Sequence, residues 1–269
     1  MGVILDIQGL TRRFGDMTAA DHVTLAVEEG EVFGLLGPNG AGKSTTVKML
    51  TTLLPPSEGT ALIDGYDLIH QASEVRRVIG YVPQALSADG TLTGYENLLI
   101  FARLYDLPRR EHKARVRFAL DYMGLGDAGD RLVNTYSGGM IRRLEVAQAL
   151  LHQPRVLFLD EPTTGLDPVA RRAVWDHLSE LRAQSGMTIF LTTHYMEEAD
   201  HLCQRVAIMS HSHVVAVGSP ADLKASIDQP DATLDDVFAH YTGDSLTPTS
   251  AGGDYRETAR SRRAARRVG

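Results

Sequence analysis

The sequence predicts an α/β fold built on a mostly parallel sheet. Three observations predict it. Strand-like and helix-like segments alternate from residue 155 onward. A glycine-rich loop joins an apolar strand to a helix at 37–44, and a second apolar strand ends on two adjacent carboxylates at 155–161.

The elements follow in order. ILDIQ (4–8) and VTLAVEEGE (23–31) read as strands, the second alternating apolar and polar residues. EVFGLLG (31–37) is an apolar strand that runs into the glycine loop. STTVKMLTTLL (44–54) carries Val47, Leu50, Leu53 and Leu54 at helical spacing, and PPSEG (55–59) breaks it. TALIDGYDL (60–68) reads as a hairpin around Asp64 and Gly65. From Thr91 to Leu151 the pattern turns helical, with LTGYENLLIFARLYDL and REHKARVRFALDYMGL apolar at three- and four-residue intervals. RVLFLD (155–160), a helix from Pro168 to Gln184, MTIFLTT (187–193), a helix from Met196 to Leu202 and RVAIMS (205–210) complete the alternation. The expected organisation is a main domain over 1–215 with a helical subdomain at about 85–151, a short extension over 216–243 and a flexible basic tail over 244–269.

Composition narrows the classes of function. With 43% hydrophobic and 23% charged residues, the 269-residue chain is of ordinary globular type. No apolar run reaches the ~18 residues of a membrane span, and the start lacks a basic-then-apolar leader, so a cytosolic location is expected. Cys203 is the single cysteine, which excludes a disulfide within the chain. His211 and His213 read as a surface turn rather than a metal site. The net charge of −7 argues against a broad nucleic-acid surface, so no nucleic-acid partner is expected. Residues 256–267 (RETARSRRAARR) hold six Arg against one Glu; they read as a solvated tail, with attraction to anionic lipid or nucleic acid as the lesser alternative.

GPNGAGKS (37–44) matches G-x-x-x-x-G-K-[ST] with a strand before it and a helix after it. Gly37, Pro38, Asn39, Gly40, Ala41, Gly42 and Thr45 would cradle a nucleotide's phosphates through backbone N–H groups. Lys43 would reach the β- and γ-phosphates, and the Ser44 hydroxyl would meet Mg²⁺. At the end of RVLFLDEP (155–162), Asp160 is placed to hold Mg²⁺ and Glu161 to orient and polarise the attacking water.

GPNGAGKS, YSGGM, VLFLDEP, TTGLD and TTH occur in this order, and with them residues 4–243 resemble an ABC-type ATPase, the nucleotide-binding subunit of an ABC transporter. The resemblance implies a P-loop NTPase fold of ABC type, with an N-terminal β subdomain and an inserted helical subdomain. It implies ATP and Mg²⁺ as cofactors and a head-to-tail dimer with ATP sandwiched between subunits. Ser137, Gly138 and Gly139 would then open a second anion-binding helix facing the other subunit's γ-phosphate, and Asp167 would contact the opposite site. Phe14 matches the aromatic residue that stacks on adenine, usually Tyr in the family. Gln84 matches the glutamine near Mg²⁺ and the attacking water, and His194 the histidine at the γ-phosphate. Tyr136 and Met140 depart from the usual L-S-G-G-Q, and activity is expected to survive because the hydroxyl and both glycine amides remain.

YSGGM, residues 92–107 and ATLDDVFAHYTG (232–243) look most like the daunorubicin-resistance type of exporter ATPase, although the extension is shorter than in many members. The implied function is ATP hydrolysis that powers a separate ABC-2-type permease, from the cytoplasmic face of the membrane, exporting a drug, lipid or other hydrophobic or cell-envelope compound. The alternative is a soluble ABC ATPase that remodels nucleic acid, ribosomes or a protein assembly.

Overall fold

The computed structural model describes residues 2–227 and 229–243. The linker and basic tail expected over 244–269 lie outside the described residues. A four-stranded antiparallel sheet, in order β2-β1-β4-β5, comes first: β1 Val3–Phe14, β2 Met17–Glu28, β4 Glu58–Ile63 and β5 Tyr66–Asp67. Asp64 and Gly65 both have positive φ and turn β4 into β5, as their dipeptide predicts. The β1–β2 hairpin is longer than the sequence suggests. Polar residues Thr11 to Arg13 interrupt the alternation, and register shifts, one of them between Ile7 and Leu10, hide the pairing from a period-two reading.

The second sheet has order β10-β9-β3-β8-β7-β6, formed by β3 Val32–Leu36, β6 Ile79–Val82, β7 Val156–Asp160, β8 Thr188–Thr193, β9 Arg205–Ser210 and β10 His213–Gly218. Only β10 runs antiparallel to its neighbour. A boundary drawn at 215/216 therefore falls inside a strand that pairs with the main sheet. Every residue of β3, β7 and β8 is buried, as a sheet covered on both faces requires.

Their alternate residues divide two hydrophobic clusters. Phe33, Phe158 and Phe190 face the antiparallel sheet and Val47, Met49 and Leu50 of α1 (Lys43–Leu50), with ring centroids 5.5–5.6 Å apart. Leu36, Leu157, Leu159, Ile189 and Leu191 face the helices α5 (Gly138–Leu150), α6 (Pro168–Ser185) and α7 (Met196–Leu202).

Helix boundaries have local causes. In α6, Asp167 accepts the N–H groups of Val169 (3.0 Å) and Ala170 (2.9 Å), Pro168 occupies the first turn, and Gly186 at φ 63° closes the helix. Helix α1 stops at Leu50, earlier than its periodicity suggests: the Thr51 hydroxyl donates back to Val47 O (2.9 Å) and Thr52 takes a positive φ, leaving Leu53 exposed. A short helix, α2 (Ala72–Val78), fills a stretch the sequence reading leaves unassigned. Between β6 and β7 lie α3 (Gly94–Leu104), opened by a Thr93–Glu96 capping box, α4 (Arg109–Tyr122) and α5. After β10, α8 (Pro220–Ala225) and α9 (Leu234–Thr242) pack on each other, with α9 also against α7.

Candidate functional site

In the parallel sheet β8 lies between β3 and β7, so three loops leave its carboxyl edge side by side: 37–42 after β3, 161–167 after β7, and His194 after β8. Open α/β sheets bind ligands at this edge. The glycine loop is set by sterics. Gly37, Gly40 and Gly42 have φ of 157°, 85° and 107°, and a Cβ on Gly42 would collide with the Ala19 carbonyl oxygen. Gly42→Ala is therefore expected to weaken ATP binding by about ten-fold or more, read by titration with a fluorescent nucleotide. Wild-type affinity in the folded variant would contradict this account of the loop.

Lys43 is 3% exposed, and its ammonium donates to Gly37 O (2.8 Å) and Pro38 O (3.0 Å). It also stands 3.2 Å from Glu161 Oε1. The Ser44 hydroxyl donates to Asp160 Oδ1 (2.9 Å), and the Thr192 hydroxyl donates to the same oxygen (2.7 Å). Gln84 Nε2 and the Thr164 hydroxyl each donate to Glu161 Oε2 at 3.1 Å, and His194 Nδ1 lies 3.2 Å from that oxygen. Glu161 takes the left-handed φ of 48° that turns its carboxylate into this cluster, with its own N–H held by Thr192 Oγ1 (3.0 Å).

The electrostatics are those of a buried charge cluster. Burial pushes the Glu161 carboxyl up, but the contacts with His194 and the Lys43 ammonium outweigh it and hold the group at about 2. Burial pushes Lys43 below its ordinary value, against the raising effect of Glu161 and Asp160. The donors gathered here (the hydroxyl of Ser44, the Asp160 carboxylate and the Gln84 amide) are hard oxygen donors of the kind that suits Mg²⁺, which shares its shell with substrate phosphates.

Asn39, Gly40, Gly42, Lys43, Ser44, Thr45, Gln84 and Glu161 line one open cleft of about 760 Å³ with Met17, Thr18, Ala19, His211 and Ser212. Pro38 and Ala41 complete the loop through backbone bonds, Ala41 O accepting Ser212 N–H (3.2 Å). Phe14 is not among this lining; it stands at the tip of the β1–β2 hairpin, 43% exposed, with its ring under the Arg12 guanidinium at 4.6 Å.

Ser137, Gly138, Gly139 and Asp167 do not join the cleft. Ser137 caps α5, accepting Met140 N–H at 3.3 Å, and is exposed. The two glycines let α5 start against the 166–170 segment: a Cβ on Gly138 would come 3.0 Å from Leu166 Cδ2, and one on Gly139 3.2 Å from Ala170 Cβ. The serine-glycine helix start and the Asp167 turn thus form one surface. Tyr136, where the resembled family has Leu, donates its hydroxyl to Ala128 O (2.7 Å).

Several contributors lie inside or beside the motifs without having been singled out. Thr164 and Thr192 hold the two acids, and Glu198 on α7 accepts from the Thr163 hydroxyl (2.8 Å) and Trp175 Nε1 (2.9 Å), anchoring the segment after Glu161. Burial pushes the Glu198 carboxyl up. The TTGLD run contains Thr163 and Thr164 and the TTH run contains Thr192, whereas Trp175 and Glu198 are brought in by tertiary contacts alone.

A glycine loop with a buried lysine, a serine–aspartate pair and a buried glutamate at the edge of a parallel sheet define a P-loop nucleoside triphosphatase. The family model described as "ABC transporter" matches residues 20–164. The chain is 46% identical over 223 residues to the daunorubicin/doxorubicin resistance ATP-binding protein DrrA of Streptomyces peucetius, covering 83% of this chain and 67% of that one. It is 40% identical to the probable multidrug ABC transporter ATP-binding protein YbhF of Escherichia coli, across 90% of this chain but only 42% of that one. A solved structure titled "Structure of ATP binding subunit of ABC transporter" superposes with a TM-score of 0.77 at 30% identity, covering 88% of this chain and 99% of that chain. This chain belongs to the ABC transporter family, as an ATP-binding ATPase of it.

Proposed function

We propose that two copies of this chain bind MgATP head to tail and, by closing and reopening, drive a separate ABC-2-type permease that exports a drug or other hydrophobic compound. The observation that carries the dimer is the separation of two phosphate-suited surfaces. The cleft around Lys43 holds the acids, whereas the exposed Ser137 helix start is not part of its lining and would need a second copy to meet a nucleotide. The export reading is supported by the likeness to DrrA, a drug-resistance ATP-binding protein, and to YbhF, a probable multidrug transporter ATP-binding protein, each of which is longer than the stretch this chain matches. Among the described residues no helix is long and apolar enough to cross a membrane, so a membrane step needs a partner. The chain would work at the cytoplasmic face, where ATP is available.

The contacts support the following roles. Lys43, now paired with Glu161, would turn to the β- and γ-phosphates, while Gly37 to Thr45 cradle them. Once Lys43 leaves, burial acts on Glu161 with less opposition, and its carboxylate becomes a better base for the attacking water. Gln84 and His194, both at Glu161 Oε2, would hold that water and the γ-phosphate in line. Ser44, Asp160 and Gln84 would hold Mg²⁺, whose contribution is to neutralise charge on the β- and γ-phosphates. Phe14 would offer its ring to adenine, and Ser137, Gly138, Gly139 and Asp167 would complete the other copy's site.

The test is capture of the tagged chain from gently solubilised membranes with Mg²⁺ and ATP. The expected result is a polytopic membrane protein in near-equal amount. Recovery solely with ribosomal proteins or nucleic acid would leave the ATPase intact and overturn the export reading.

A further inference from the structure

Arg142 is the largest fully buried side chain among the described residues, and it sits one turn into α5 beside an equally buried Glu145, each 2% exposed. A buried guanidinium is costly unless its donors are used. Here both terminal nitrogens are spent on one loop and on Glu145, while the buried Nε has no hydrogen-bond partner among the described residues. Arg142 Nη1 donates to Pro83 O (2.7 Å) and to Glu145 Oε2 (3.0 Å), and Nη2 donates to Gln84 O (2.9 Å). Glu145 Oε1 in turn accepts the Ser87 N–H and the Ser87 hydroxyl, the latter at 3.1 Å. The loop that follows β6 has no strand partner past Val82, so these bonds take the place of a ladder for its backbone. The same helix begins at Ser137, and the same loop carries Gln84 to Glu161.

We propose that Arg142 and Glu145 form a positioning clamp that locks the Gln84 loop to the Ser137 helix, so that the two move as one body and Gln84 reaches Glu161 only when α5 is in place. Neither residue touches the reacting atoms. Both carbonyls gripped by Arg142 flank the Gln84 Cα, so a shift of α5 is transmitted directly to the Gln84 amide. Lysine can keep the charge and the Glu145 pair, but its single ammonium cannot reproduce the planar two-carbonyl fork.

This inference rests on the roles proposed above for Gln84 and Ser137, and the experiment separates the two. In the full chain, Arg142→Lys, Glu145→Gln and Gln84→Ala are compared with wild type for ATP affinity, kcat, thermal midpoint and hydrogen exchange over residues 84–88. Arg142→Lys is expected to keep ATP affinity within about two-fold while kcat falls about ten-fold or more. Exchange over residues 84–88 should quicken in Arg142→Lys, which loses the two-carbonyl grip. Glu145→Gln, which retains an acceptor for Ser87, keeps the question answerable if Arg142→Lys fails to fold; its kcat should fall with affinity held. If Gln84→Ala is slow but both clamp variants turn over at the wild-type rate, the clamp is overturned. It is equally overturned if affinity, kcat and thermal midpoint decline together, which is the signature of a merely structural pair. If Gln84→Ala itself has wild-type turnover, the reading beneath the proposal fails instead.

Discussion

Glu161→Gln is expected to lower ATP turnover by about two orders of magnitude or more while ATP binding is kept or tightened. The carboxylate lies at the meeting point of Lys43, Gln84, Thr164 and His194, and an amide cannot take the water's proton. Binding survives because the phosphate cradle is backbone and lysine. It tightens because Lys43 no longer has a carboxylate competing with the phosphates. The nucleotide-free variant should melt earlier, since its buried ammonium has lost a counter-charge. Glu161 is held at about 2, below an ordinary carboxyl, so its contribution to stability is present above the ordinary value and is lost as pH falls toward 2. The melting difference between wild type and Glu161→Gln should therefore be full at neutral pH and shrink across that acid window. Turnover at the wild-type rate would remove Glu161 from catalysis and shift attention to His194.

Ser137→Arg should abolish hydrolysis and leave nucleotide affinity of the single chain unchanged. Ser137 is exposed at the first turn of α5, so a larger side chain fits the monomer at the expense of one cap, about 1 kcal/mol. In a closed pair the same side chain would occupy the space where the other copy's γ-phosphate must sit. Turnover and affinity are both measured on the purified variant, and full turnover would show that the serine helix faces no nucleotide.

The parts of the molecule legible in the sequence are those with local causes. Asp167-Pro168 caps and starts a helix by itself, Asp64-Gly65 turns a hairpin, and VLFLD is buried because a parallel sheet covered on both faces selects such a run. Other features are set by distant contacts. Leu53 and Leu54 continue a helical pattern, yet the chain has already turned at Thr52 and Leu53 faces solvent. The Arg142–Glu145 pair has the spacing of a solvated helix face, yet it is buried and bonded to the Pro83–Ser87 loop. The pairing of Lys43 with Glu161 joins two motifs that sequence order aligns but does not bring into contact. Phe14 carries only its motif position: its ring stands at the hairpin tip under Arg12, paired with Met17 of the cleft lining, and its place at adenine is a matter for experiment.

The central claim is that one copy's Lys43 loop and another's Ser137 helix enclose the same ATP. Sedimentation of Glu161→Gln with saturating MgATP, alone and after Ser137→Arg is added to it, tests this most directly. The account predicts a species of twice the 29.4 kDa chain for the single variant and a nucleotide-bound monomer for the double. A monomer in both cases, or a dimer indifferent to Ser137→Arg, would contradict it.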